Sequence, residues 1–297
     1  MERPFALSLR VVDAVKSPLN RCAMHLALAL AATGASACGA QATEPGTRSG
    51  TFVSDAATLS YSMDVPAGRG PFPVVVFVHG SGRTARDEMR NLVEPFLGRG
   101  YMVFRYDKRG VGASTGTYEG VGPFNSLRVI PQLARDAAAA FATACAAPDV
   151  ERERCGFFGA SQAGWVIVEA LSAVPQAKFG VIFSGTTASV GREIAFSTVA
   201  ETGGGTLDSA YRAISTFTGT EGYDPMLALS RIRTPMLWLL GLDDRSIPSR
   251  TTAAHLKQLA TAGLPLTVAA YEQYGHALGP LVWPEIDRFL AARAVSR

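Results

Sequence analysis

Ser161 stands in Gly159-Ala160-Ser161-Gln162-Ala163-Gly164-Trp165, directly after the apolar run Cys155-Gly156-Phe157-Phe158. An apolar run that stops on a serine among small residues reads as a strand turning sharply into a helix, with the serine lifted onto the tip of the turn. Strand and helix nearly touch there, so the positions two before and two after the serine must lack bulk, as Gly159 and Ala163 do. A serine hydroxyl is a weak nucleophile by itself. It needs a base to take its proton, an acid to orient that base, and donors for the oxyanion formed when it attacks a carbonyl. Acyl transfer is the chemistry this turn implies, and the rest of the chain has to supply the other parts.

Reacting groups in a parallel sheet gather at the carboxyl ends of the strands, so those parts should follow apolar runs. His79-Gly80-Ser81-Gly82 follows Val74 to Val78. Its glycines expose the backbone, and the main-chain N–H of Ser81, with that of Gln162, would form a two-donor oxyanion hole. The chain has four histidines. His25 is near the N-terminus, His79 is read as a structural residue pinning its own loop by hydrogen bonds, and His255 falls inside a predicted helix. His276, in a glycine-containing loop after the last predicted strand, is left as the base. The acid should follow Met236 to Leu240, where Asp243 and Asp244 are adjacent candidates and only one can face His276.

The elements that must carry these residues follow from the hydrophobic pattern. Thr51 to Val65 alternates as two antiparallel strands. Continuous apolar runs at Val74 to Val78, Tyr101 to Tyr106, Gly156 to Phe158, Phe179 to Phe183, Met236 to Leu240 and Leu266 to Tyr271 read as strands buried on both faces. Between them lie candidate helices at Ala85 to Leu97, Ser126 to Ala144, Gln162 to Ala173, Thr251 to Ala262 and Val282 to Ala294. This alternation predicts an α/β fold with a mainly parallel sheet covered on both sides. One connection is oversized: about fifty residues separate Phe183 from Met236, far more than a usual link. Its pieces Arg192 to Thr202 and Leu207 to Thr216 look helical, and Gly203-Gly204-Gly205 between them reads as a hinge. Residues 185–230 are expected to form a small cap over the serine turn.

The 297 residues are 47% hydrophobic and 18% charged, which suits a folded chain with a large core and excludes a disordered one. A net charge of +3, with Lys and Arg spread out, argues against nucleic acid as a partner. Arg3, Arg10, Lys16 and Arg21 precede an uncharged stretch from Cys22 to Gly34 and then Ala35-Ser36-Ala37-Cys38. That stretch is shorter than the roughly 20 residues a spanning helix requires, and the small residues suit cleavage before Cys38. Residues 1–37 are therefore expected to be an export signal, with Met24 an alternative start. Residues 38–50, rich in small and polar types, would form a flexible tether, and residues 51–297 the catalytic domain. Export leads to the periplasm or the medium, and lipidation of Cys38 would be the sole tie to a membrane. Cys145 and Cys155 close a short loop, and a disulfide between them would contribute about 2 to 3 kcal/mol. Their spacing suits no zinc site.

Taken together, His79-Gly80-Ser81-Gly82, the stretch Tyr106 to Ser114, Gly159 to Trp165, Gly241 to Pro248 and Gly275-His276 resemble the α/β-hydrolase superfamily over residues 51 to 295. The resemblance implies an α/β-hydrolase fold, a mainly parallel sheet of about eight strands flanked by helices, with a small helical cap insertion. The family's acid sits in Gly-x-x-Asp-x-x-(Val or Ile)-Pro, which selects Asp244 over Asp243. Serine, acid and histidine also occur in the family's order. Ala163 departs from the family's usual glycine two residues after the nucleophile. Asp107 and Arg109 belong to a segment the family uses structurally. A carboxylesterase acting on a small-molecule ester or acyl substrate is implied, with no metal and no cofactor. Peptidase and thioesterase activities use the same parts, and a binding protein of the same fold without catalysis is the alternative from another class.

Overall fold

A computed structural model of the chain describes residues 44–294. The expected export signal and Cys38 lie outside the described residues. In chain order the strands are β1 (Gly46–Ser54), β2 (Ala57–Val65), β3 (Phe72–Val78), β4 (Met102–Tyr106), β5 (Val150–Ala160), β6 (Phe179–Phe183), β7 (Met236–Gly241) and β8 (Leu266–Tyr271). The helices are α1 (Val93–Leu97), α2 (Ser126–Cys145), α3 (Ala163–Ala173), α4 (Val190–Glu201), α5 (Leu207–Ser215), α6 (Met226–Leu229), α7 (Ser249–Thr261) and α8 (Trp283–Ala294). The strands form one sheet in the order β1-β2-β4-β3-β5-β6-β7-β8. Only β2 runs against its neighbours; every pair from β4 to β8 is parallel.

The period of two along each strand explains why the central runs are apolar throughout. On β3, Val74, Val76 and Val78 join one core while Val75 and Phe77 join the other. On β7, Met236, Trp238 and Leu240 face the first core and Leu237 and Leu239 the second. Helices α2, α3 and α7 cover the first side, and α1 and α8 the second. The expected α/β-hydrolase architecture is therefore present, with each predicted chemical residue just beyond a strand.

The structure corrects three local expectations. The first strand begins at Gly46, inside the stretch expected as tether, because Gly46 to Gly50 pair in register with Val65 to Tyr61. Thr47 adds a 2.8 Å hydrogen bond to Asp64. The helix expected over Ala85 to Leu97 is a 3-10 turn, Arg86–Leu92, followed by α1. Pro95 falls in the first turn of α1, where a missing N–H costs nothing. Cys145 and Cys155 are free thiols, not a disulfide. The Cys155 thiol donates instead to the Glu151 carbonyl at 3.6 Å, and its side chain, with burial, raises the Cys145 pKa. The glycine run between α4 and α5 is an exposed turn that is closely packed at Gly205 alone. A Cβ on Gly205 would fall 1.9 Å from the Val199 carbonyl oxygen, and Gly204 has φ +88°. Helices α4 and α5 enclose a small core of their own, Phe196, Ala200, Ala210 and Ile214.

Candidate active site

The turn after β5 has the strained form its sequence implies. Ser161 sits at φ +59°, a left-handed conformation that is uncommon for a residue with a Cβ. Its amide donates to the Phe183 carbonyl at 2.9 Å, so the neighbouring strand end holds the turn. A Cβ on Gly159 would lie 2.5 Å from the Ala163 Cβ and 2.7 Å from the Val78 carbonyl oxygen. Only one of the two flanking positions can therefore carry a methyl group. Here Ala163 carries it and Gly159 carries none, which accounts for the departure at position 163.

The loops after β7 and β8 meet beside this turn. His276 Nδ1 and Asp244 Oδ2 lie 2.8 Å apart, and Asp244 is fully buried. The other Asp244 oxygen accepts from the amides of Ser246 at 2.8 Å and Ile247 at 3.1 Å, which fixes the carboxylate. Asp243 turns away to pair with Arg250 at 3.1 Å. Of the two adjacent acids, Asp244 is thus the one that faces the histidine. Nδ1 donating to the carboxylate leaves Nε2 as the acceptor, the tautomer a general base needs. Ser161 and the imidazole share no direct hydrogen bond among the described residues; their loops are joined through β6. Ser184, one residue beyond the carbonyl that holds Ser161, donates its hydroxyl to the His276 carbonyl at 2.8 Å and its amide to the Leu239 carbonyl at 2.8 Å.

Ser81, Ser161, Gln162, Trp165, Glu193 and Ile247 line one small cleft of ≈ 90 Å³. The amides of Ser81 and Gln162 donate to no other group among the described residues, so both are free to receive an oxyanion. His79 does not pin its loop as expected. Its ring nitrogens are buried without hydrogen-bond partners, and its ring stands edge-on to Tyr106 at 4.8 Å. Burial and then the nearby Lys108 charge lower its pKa to about 3, against a weaker opposite pull from the Tyr106 backbone, so the ring is too weakly basic to serve as the general base. His255 lies on α7, its Nδ1 3.1 Å from the Thr187 hydroxyl and with no carboxylate partner among the described residues. Asp107 and Arg109 are structural. Asp107 accepts from the Arg86 guanidinium at 2.6 Å and the Ala113 amide at 2.9 Å, and Arg109 forks onto Asp136 at 2.5 and 2.8 Å.

Burial alone would lower the His276 pKa. The Asp244 hydrogen bond and charge, helped by Glu193 and Glu201, outweigh it and raise the pKa above the ordinary histidine value. Glu193 is the residue the sequence reading missed. It projects from α4, and burial, with the charges of Glu201 and Asp244, raises its carboxyl pKa to about 7 against the pull of His276. Glu201 accepts from the Ser246 hydroxyl at 2.7 Å, and Arg245 reaches the Ala200 and Gly205 carbonyls. The acid loop and the inserted helices are thereby fastened together. The site holds no cluster of metal-ligating side chains among the described residues.

Comparison with known proteins agrees with the fold. A family model described as "Serine aminopeptidase, S33" matches residues 70–225. No curated protein matches the chain. Among solved structures, an esterase of Pyrococcus furiosus is 18% identical with a TM-score of 0.63, covering 84% of this chain and 91% of that one. Acetyl xylan esterase 1 of Thermoanaerobacterium sp. JW/SL YS485 is 15% identical with a TM-score of 0.59, covering 84% and 89%. An acylaminoacyl peptidase of Pyrococcus horikoshii is 19% identical with a TM-score of 0.56, covering 79% of this chain and 38% of that one. At such identities these likenesses speak of fold. The family match spans more than half of the chain, and the chain belongs to the serine aminopeptidase family of α/β hydrolases.

Proposed function

We propose that the protein is a serine hydrolase acting on small carboxylic esters through an acyl-enzyme. Ser161 attacks the carbonyl, His276 takes its proton and returns it to the leaving alcohol, and Asp244 orients the ring and stabilises the imidazolium. The amides of Ser81 and Gln162 hold the oxyanion. The observation that carries the reading is the 2.8 Å Asp244–His276 pair beside a serine held at positive φ. The cleft, at ≈ 90 Å³, is well below the roughly 300 Å³ at which drug-sized sites begin, which supports short acyl groups as substrates. In this reading α4 to α6 form the cap over the cleft, and the leader read in residues 1–37 exports the enzyme, with Cys38 as its possible lipid anchor.

A peptidase reading has one observation in its favour beyond the family's description. The Glu193 carboxyl lines the cleft, where it could pair with the ammonium of an aminoacyl substrate. The test is to treat the purified protein with a fluorophosphonate probe and to compare nitrophenyl acetate, butyrate and laurate with aminoacyl nitroanilides. Labelling at Ser161, lost in Ser161→Ala, with acetate or butyrate cleaved fastest, is the expected outcome. Absence of both labelling and ester turnover would refute the hydrolase assignment, and faster cleavage of the nitroanilides would replace the ester with the aminoacyl substrate.

A further inference from the structure

The turn Gly80-Ser81-Gly82 has to aim a backbone amide, yet no strand or helix holds it. Its three carbonyls are nevertheless all occupied. Lys108 Nζ donates to the Gly80 carbonyl at 2.5 Å and to the Gly82 carbonyl at 2.9 Å. The Thr84 hydroxyl donates to the Ser81 carbonyl between them at 3.2 Å. Lys108 is 4% exposed, and among the described residues no carboxylate lies within salt-bridge distance of it. A buried ammonium is costly to desolvate. Here the charge is committed to two main-chain oxygens of a single turn.

The peptide bond turns this contact into a statement about Ser81. In a planar trans peptide the C=O and the N–H of the following residue point in opposite directions. With the Gly80 carbonyl aimed at Lys108, the Ser81 amide is aimed the other way. Ser81 lines the cleft together with Ser161 and Gln162, and the turn abuts the serine turn, since a Cβ built on Gly80 would lie 3.2 Å from the Ala160 carbonyl oxygen and 3.7 Å from the Ser161 Cβ. The same bonds commit both carbonyl oxygens, which would repel a developing oxyanion, to Lys108, a residue outside the cleft's lining.

We propose that Lys108 is a positioning residue that holds the Gly80–Gly82 turn so that the Ser81 amide faces the oxyanion. The inference rests on the serine hydrolase reading given above. It replaces His79, whose ring nitrogens have no hydrogen-bond partner, as the group that pins this loop. The groups facing Lys108 are His79 at the end of β3, Glu88 on the 3-10 turn, and the Tyr118 ring, 5.8 Å away and shared with Arg83. Burial lowers the Lys108 pKa to about 8, with Glu88 pulling the other way. Loss of the proton above that pH weakens both bonds to the turn, so turnover should fall on the alkaline side. Stability moves oppositely. Between the folded pKa and the ordinary lysine value the unfolded chain holds the extra proton, so this group's contribution to stability rises with pH. A fall in turnover with an unchanged or higher melting temperature therefore reports positioning and not unfolding.

The experiment measures nitrophenyl acetate hydrolysis by the wild type, Lys108→Met and Lys108→Arg across pH, with fluorophosphonate labelling and thermal unfolding alongside. Removing an oxyanion donor costs about 10²- to 10³-fold in kcat. Lys108→Met is expected to lose on the order of 10²-fold in kcat with KM changed by less than about 3-fold. In Lys108→Arg, which stays charged, the alkaline fall should move to higher pH. Wild-type protein that fails to label at Ser161 removes the hydrolase reading and this inference with it. Wild-type protein that labels and turns over, beside a folded Lys108→Met with kcat within about 3-fold, overturns this inference alone. If Lys108→Met does not fold, the wild type decides: a kcat that stays flat from about pH 7 to about pH 9.5 overturns the proposal.

Discussion

The sheet and the inserted helices contribute to the same site by different physical means. Ser161, Asp244 and His276 ride on backbone that the sheet constrains: the Ser161 amide is bound to the end of β6, Asp244 follows β7, and the His276 carbonyl is held by Ser184. Their positions depend on main-chain geometry, which leaves little freedom once the strands are paired. The inserted helices reach in with side chains alone. Glu193 and Glu201 act on the histidine through charge, and Ser246 with Glu201, Arg245 with the Ala200 and Gly205 carbonyls, and Trp165 with the Ala188 carbonyl at 3.0 Å fasten the insertion down. Groups set by backbone should be indispensable, whereas groups set by side chains should tune.

Four substitutions put that contrast at risk. Asp244→Asn leaves the shape intact but favours the wrong imidazole tautomer, and kcat is expected to drop on the order of 10⁴-fold. Asp243→Asn, which loses only the partly exposed Arg250 pair, should stay within about 3-fold. Equal losses in the two variants would mean that the sheet does not select between adjacent acids. Gly159→Val comes next. It places a branched side chain where a single Cβ already meets Ala163 and the Val78 carbonyl too closely, and it should lower stability by about 2 to 3 kcal/mol in urea unfolding. An unchanged midpoint would show that the serine turn is less constrained than its geometry indicates.

Glu193→Gln, on the insertion, should have a far smaller effect than Asp244→Asn. His276 must be neutral to accept the serine proton, so turnover rises with pH through its pKa, and the Glu193 charge helps to hold that pKa up. Removing the charge should move the acidic limb of the pH profile to lower pH. Because Glu193 itself titrates at about 7, only its ionised fraction acts, and kcat near neutrality should change by less than about tenfold. A limb that stayed in place would mean that the insertion covers the cleft without acting on the histidine.

How much of this could be read in advance depended on how local the cause was. The strands from β3 onward were legible because an apolar run buried on both faces needs no information from elsewhere. The Ser161 turn was legible because its small flanking residues sit within two positions of it, and His276 followed from its place behind the last strand. The choice between Asp243 and Asp244 needed a family pattern, since adjacent residues carry the same local signal until a partner loop distinguishes them. The extension of β1 to Gly46 was hidden because its small polar residues become a strand only by pairing with β2. The free thiols were hidden for a related reason: spacing limits whether two cysteines can meet but not where their sulfurs point.

By itself, then, the sequence determined the order of strands and helices, the nucleophile turn and the loops that could carry a base and an acid. Those features follow from periodicity and from the bulk of near neighbours. Only the tertiary structure decided which polar groups meet. Ser184 holds a carbonyl 92 positions away, and Lys108 takes the Gly80 carbonyl 28 positions before it. Glu193 likewise comes within electrostatic reach of His276 only because the insertion folds back over the ends of the strands. No local pattern encodes such contacts, because they come from surfaces brought together when distant strands pair and the helices close over them.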